Sequence, residues 1–213
     1  MKNYSNQQRK QRRSSAKTQS VEQPLSANDV LKLINAVRPD FRDYYVVRFM
    51  TGMRSSEIHG LKHEHIDLDR NIIRVRELYT NGKSVPADSF CKRNIVMSQV
   101  TRGAFLRQID MTKDKSEFVF CSSQGRPLNH IYVYRHIWLP LLESVGMPHC
   151  KCYQSRRTAV ALWESEGKDR KWIQAQLGLE PSGIEMKHVL PATTTFEQLL
   201  ADNLTELLSG ENK

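Results

Sequence analysis

The stretch Thr51-Gly52-Met53-Arg54-Ser55-Ser56-Glu57-Ile58-His59-Gly60-Leu61 carries an arginine out of one helical pattern and into another. Ahead of it Phe41, Tyr45, Val46, Phe49 and Met50 follow Pro39 at helical spacing, and Gly52 is the residue type that closes a helix in the left-handed conformation. Behind it Ile58 and Leu61 point inward from a short helix that Ser55 or Ser56 is placed to cap, with Glu57 in the first turn. Arg54 therefore stands at the joint, with a carboxylate one turn away. Taken alone, Arg-x-x-Glu is an ordinary ion pair on a helix surface. Here it sits inside Thr-Gly-x-Arg-x-x-Glu-Ile, where a glycine turn fixes the direction in which the arginine leaves the backbone.

Working outward, Ser26-Ala27-Asn28-Asp29 fits a capping box, and Val30, Leu33, Ile34 and Val37 make the apolar face of a first helix. Ile72 to Arg76 and Asn94 to Met97 read as strands joined by a loop with Asn81-Gly82 and Pro86, and Phe118-Val119-Phe120 as a third strand. Ile131 to Leu142 reads as a helix that Pro140 kinks or ends, followed by helices around Ser155 to Glu166 and Asp169 to Leu177. A last helix, around Phe196 to Leu208, lines up Leu200, Leu204, Leu207 and Leu208. The fold class is mainly α with a small antiparallel β-sheet (α+β). The expected organisation is a tail over residues 1–24 and one cored domain over residues 25–213.

The chain has 213 residues and a formal net charge of +9, which favours a polyanionic partner, nucleic acid first. Lys2, Arg9, Lys10, Arg12, Arg13 and Lys17 supply six of those charges before the first acid, Glu22. A tail so polar cannot offset the entropy of ordering and is expected to be disordered alone. It reads either as a solubilising leader or as an arm that tracks DNA. No apolar run approaches the ~20 residues of a membrane span, and no hydrophobic signal stretch follows the N-terminus, so a cytoplasmic protein is expected. Cys91, Cys121, Cys150 and Cys152 have neither disulfide-framework nor zinc-site spacing. His59, His63 and His65 read as a solvated face rather than a metal site, and His149-Cys150-Lys151-Cys152 lacks a second ligand pair.

The quoted stretch, continuing to His65-Ile66-Asp67-Leu68, resembles the first catalytic box of tyrosine recombinases, the phage integrase family. About a hundred residues on, Tyr153-Gln154-Ser155-Arg156-Arg157-Thr158-Ala159 resembles the second box, His-x-x-Arg, and Ile173-Gln174-Ala175-Gln176-Leu177-Gly178-Leu179 resembles the segment before the nucleophile. The resemblance covers roughly Leu25 to Leu190 and implies the catalytic-domain fold of these enzymes. It also implies that Arg54 and Arg156 clamp one phosphate, that Glu57 braces them, and that double-stranded DNA is the partner. A guanidinium offers a planar fork to two phosphate oxygens and cannot lose its charge, so two of them stabilise a pentacoordinate phosphorus without metal or other cofactor.

The sequence departs from the family where chemistry is most demanding. Tyr153 replaces the usual histidine of the second box. Leu179 stands where histidine or tryptophan would donate a hydrogen bond. The nucleophilic tyrosine would fall nine or ten residues further on, where the sequence has His188 and Val189, and no tyrosine follows Tyr153. The family's acid lysine belongs about six residues ahead of Arg93, at Ala87; Lys83 and Lys92 flank that place. Strand cleavage needs a hydroxyl that attacks phosphorus and holds it as an ester.

The expectation is thus a regulator or accessory factor that binds DNA through Arg9, Lys10, Arg12, Arg13, Lys92, Arg93 and Arg157, with cleavage lost or severely impaired. The alternative is an active integrase with His188 as nucleophile. Short fimbrial-switch invertases resemble this architecture, since little precedes the first box. The last helix either docks on another copy or folds onto its own core, and an active recombinase is the other expected protein partner.

Overall fold

Ser26 opens the first helix, α1 (Ala27–Ala36), with the reciprocal bonds of a capping box: its hydroxyl accepts from the Asp29 N–H, and the Asp29 carboxylate accepts from the Ser26 N–H. The computed structural model describes residues 23–89, 91–179 and 196–211. Arg9, Lys10, Arg12, Arg13 and His188 lie outside the described residues.

Pro39 starts α2 (Pro39–Thr51), where a fixed φ suits the first turn, and Gly52 ends it at φ 61°. This helix is the axis of the molecule. Most of its residues are buried, including Tyr44, Tyr45, Val46, Val47 and Phe49, and it packs between α4 (Gln99–Thr112) and α7 (Gln154–Ser165). A Cβ on Gly52 would stand 3.0 Å from Leu177 Cδ2 and 3.4 Å from Ala159 Cβ. Glycine therefore serves the turn and also the close approach of the two C-terminal helices.

The short helix α3 (Ser55–His59) follows at once, but its cap residue is Arg54 rather than Ser55 or Ser56. The Glu57 carboxylate, three residues on, accepts the Arg54 N–H at 2.7 Å and ties the cap residue to the first turn, while the Ser55 hydroxyl accepts from Arg48.

Three strands, β1 (Ile66–Asp67), β2 (Ile72–Val75) and β5 (Arg93–Val96), form an antiparallel sheet in the order β1-β2-β5, with Ile73 opposite Ile95 and Val75 opposite Arg93. The expected loop between β2 and β5 is itself a hairpin, β3 (Glu77–Thr80) and β4 (Lys83–Pro86). Asn81 and Gly82 both have positive φ, the two-residue turn that this dipeptide favours. The expected strand at Phe118 to Phe120 does not form. Only isolated bridges join Lys62 to Phe118 and Cys121 to Pro127, so this apolar run serves as core filling rather than as a ladder.

Helix α4 has no counterpart in the sequence reading. Ser98 caps it, and Val100, Ala104 and Phe105 are buried beside the polar Thr101, Gln108 and Thr112. From His130 the chain is continuously helical to Ser144, as α5 (His130–Tyr132), a π-helical segment (Val133–Trp138) and α6 (Leu139–Ser144). Pro140 thus does not end the run; it sits at the start of α6, directly after the π-helical segment. Asp169 caps α8 (Arg170–Leu177), and Gly178 closes it at φ 63°. The last helix, α9 (Phe196–Glu211), turns Leu200 and Leu204 inward. Both are buried in the chain's own core, against α1 and α4. No helix among the described residues is long and apolar enough to cross a membrane.

Candidate phosphate-binding site

Glu57 is completely buried, and its charge is kept by arginines from two directions. Arg93 donates from Nη1 to Oε1 at 2.7 Å and from Nη2 to Oε2 at 3.0 Å, and Arg54 donates from Nη1 to Oε1 at 3.0 Å. Burial works against the carboxylate, but the fork from Arg93 and the backbone bond from Arg54 outweigh it and hold the pKa below the usual value. The Arg93 side chain is only 6% exposed, and its Nε donates to the Gln176 carbonyl at 2.6 Å. Arg93 was expected among the DNA contacts, and that reading is corrected. On a strand, residues two apart share a face, so Arg93 points inward with buried Ile95 and meets Glu57.

Arg156 comes to the same place from α7. Its Nη1 donates to the Gly52 carbonyl and its Nη2 to the Leu177 carbonyl, each at 2.8 Å. It is 1% exposed, and its Nε is buried without a partner among the described residues. Burial, and then the neighbouring charge of Arg54, pull its pKa down to about 10, which still leaves it charged at neutral pH. The backbone carbonyls it holds belong to the turn after α2 and the end of α8. The second box is thereby locked to the first and to the segment that follows it.

Arg54 and Arg156 line one open cavity of about 420 Å³, together with Arg48, Ser55, His130, Tyr134, Lys151 and Tyr153. No carboxylate of the described residues lines it. Behind its wall three guanidinium groups, of Arg54, Arg93 and Arg156, surround the one carboxylate of Glu57, a local excess of positive charge. Such an excess in a partly dry pocket favours an anion, and a forked donor suits paired oxygens.

The structure brings Arg54, Glu57, Tyr153 and Arg156 together, and leaves other expected site residues apart. Lys83 is exposed at the turn of the β3–β4 hairpin and Lys92 is exposed ahead of β5; neither lines the cavity. Arg157 is exposed on α7. Leu179 packs against the small cluster of Ala159, Val160, Trp163, Ile173 and Leu177. Sequence reasoning missed Arg48, His130, Tyr134 and Lys151, whose places on the cavity wall depend on packing between distant segments.

The histidine trio is not one solvated face. His59 is buried, its Nε2 is hydrogen-bonded to the Tyr44 hydroxyl at 2.9 Å, and its pKa is pushed down to about 3 by burial and then by Arg48. Cys150 and Cys152 are buried as well, and His149 pairs instead with Glu143 at 3.1 Å.

Comparison with known proteins identifies the family and the fold. Residues 23–184 match the phage integrase family. IntQ of Escherichia coli K12, whose name marks it as defective, is 24% identical over 189 residues, covering 76% of this chain and 48% of that protein. The tyrosine recombinase XerC of Thermodesulfovibrio yellowstonii is 27% identical over 169 residues, covering 72% and 53%. The chain thus spans about half the length of these relatives. Among solved structures, the Tn1549 transposon integrase in complex with a circular intermediate DNA superimposes with a TM-score of 0.67 at 20% identity, over 85% of this chain and 65% of that one. The lambda integrase tetramer bound to a Holliday junction gives 0.57 at 18%, over 77% and 50%.

Proposed function

This chain belongs to the phage integrase family of tyrosine recombinases, and we propose that it holds duplex DNA without cutting it, as a regulator or accessory factor of site-specific recombination and DNA integration. One observation carries the reading. Arg54 and Arg156 line a single cavity with surplus positive charge, while the sequence has no tyrosine after Tyr153 to attack what the cavity holds. A phosphodiester presents two unesterified oxygens, which the forks of Arg54 and Arg156 can engage, with Glu57 and Arg93 fixing Arg54 from behind. Good clamping does not replace an absent hydroxyl.

Phosphate contacts make such binding steeply salt-dependent and set register rather than sequence. Lys92 and Arg157 add exposed positive charge for the duplex, and Arg9, Lys10, Arg12 and Arg13 add further basic charge in sequence. The relatives solved with DNA, a transposon integrase and a tetrameric phage integrase, support a role on the DNA of a bacterial mobile element or prophage, alongside an active recombinase. Such a protein resides on the nucleoid. Since Leu200 and Leu204 of α9 lie in the chain's own core, pairing of copies through that stripe is not favoured.

A nicked suicide duplex tests the reading. An active recombinase traps itself on such a substrate as a covalent adduct that survives denaturing electrophoresis. We expect a mobility shift under native conditions and no protein-linked strand after denaturation. An adduct abolished by His188→Ala would instead establish the enzyme with His188 as nucleophile.

A further inference from the structure

Arg48 lies in the last turn of α2, is 1% exposed, and has no carboxylate partner among the described residues. A guanidinium does not deprotonate, so a full charge is buried here and must be met by oriented dipoles. Four neutral oxygens meet it. Nη1 donates to the Tyr44 hydroxyl and the Ser55 hydroxyl, each at 2.9 Å, Nη2 to the Cys152 carbonyl at 2.9 Å, and Nε to the Ser155 hydroxyl at 3.2 Å. The Tyr44 hydroxyl, accepting from Arg48, is also hydrogen-bonded to His59 Nε2. Ser55 follows Arg54, and Ser155 precedes Arg156. The same side chain also lines the cavity that those two arginines line.

We propose that Arg48 is a positioning residue of the phosphate site: by bridging Ser55 and Ser155 it sets Arg54 and Arg156 at the spacing that one phosphate needs. The proposal rests on the DNA-holding reading above. An apolar side chain of similar volume would fill this part of the core without desolvating a charge, so packing alone does not explain an arginine. A fork explains it, because only a planar group with donors on several edges reaches both serines and the Cys152 carbonyl at once. Lysine keeps the charge at one point and cannot span them.

The test compares the full-length chain with Arg48→Met, Arg48→Lys and the pair Ser55→Ala with Ser155→Ala. Two quantities are read: the shift of the thermal midpoint on adding inorganic phosphate, and affinity for a short DNA duplex by fluorescence anisotropy. We expect Arg48→Met to bind the duplex at least about tenfold more weakly, the size of one charge-assisted hydrogen bond, and to lose most of the phosphate-induced shift. Arg48→Lys should restore little of either, and the serine pair should weaken both.

A merely structural role would lower the midpoint with and without phosphate alike, leaving the shift and the affinity intact, and that result overturns the proposal. Full rescue by Arg48→Lys overturns it too, since charge alone would then suffice. If Arg48→Met does not fold, the serine pair decides in the same two directions. The DNA-holding reading fails separately, and this proposal with it, if the unmodified chain shows neither phosphate shift nor duplex binding, or if Arg54→Ala binds as tightly as it does.

Discussion

Changing Glu57 to glutamine keeps the shape of the side chain and removes the one negative charge among three guanidinium groups. Glu57 is fully buried, and its Arg93 partner is 6% exposed, so solvent does little to screen the loss. Breaking a buried ion pair by neutralising one partner costs about 3–5 kcal/mol, because the other charge stays desolvated. The amide oxygen still accepts on one side, but its NH2 faces the donors that the second carboxylate oxygen met, so nothing reduces the expected loss below that range. In a domain of this size each kcal/mol moves the midpoint by about 2–4 °C, so a fall of roughly 10 °C is expected. Urea unfolding followed by circular dichroism measures it, with Asp40→Asn as control, since the Arg38–Asp40 pair is more than half exposed on both sides. Inorganic phosphate should recover part of the loss by supplying the missing anion. If Glu57→Gln proves no more destabilising than Asp40→Asn, the carboxylate is not the hub of this cluster.

Three further outcomes follow from particular residues. His59 has a folded pKa of about 3 against about 6.5 unfolded, so the unfolded chain takes up a proton first as pH falls, and up to about 1.4 kcal/mol of stability is lost per pH unit below 6.5. His59→Leu should flatten that slope in unfolding midpoints measured from pH 7 to pH 5, and an unchanged slope would contradict the buried neutral ring. Gly52→Ala should lose about 1–3 kcal/mol in urea titrations, from its positive φ and the 3.0 Å approach to Leu177, and should weaken DNA binding by moving the carbonyl that holds Arg156. Arg93→Ala should lower the thermal midpoint strongly, whereas Lys92→Ala one residue away should leave it in place and reduce only the salt dependence of DNA binding; equal effects would refute the inward placement of Arg93.

The elements with regular patterns and plain punctuation were legible in the sequence. The capping box at Ser26 and the glycine after α2 each state their geometry locally, whereas Asn81-Gly82, read only as part of a loop, turns out to be the turn of a hairpin. Helix α4 was not legible, because Thr101, Gln108 and Thr112 lie on its buried face and break the apolar period, their polar atoms being met within the fold. Gln108 Nε2 and the Thr112 hydroxyl both donate to the Val119 carbonyl at 3.1 Å. The joint of Arg54 and Glu57 was readable as a spacing of three. The inward turn of Arg93 depends on a carboxylate 36 residues away, although its alternation with Ile95 carried the hint. His59 and Arg48 were hidden for the same reason, since each is tolerated in the core only through the Tyr44 hydroxyl and groups from distant segments.

The central claim is that Arg54 and Arg156 act on one phosphodiester, and a duplex with a single neutral methylphosphonate linkage tests it most directly. On a duplex selected from a random pool, the linkage is moved along each strand and binding is compared for the unmodified chain, Arg54→Ala and Arg156→Ala. We predict one linkage whose neutralisation weakens the unmodified chain but adds nothing to the defect of either variant. Two different sensitive linkages, one for each arginine, or losses that add in full at every position, would contradict it.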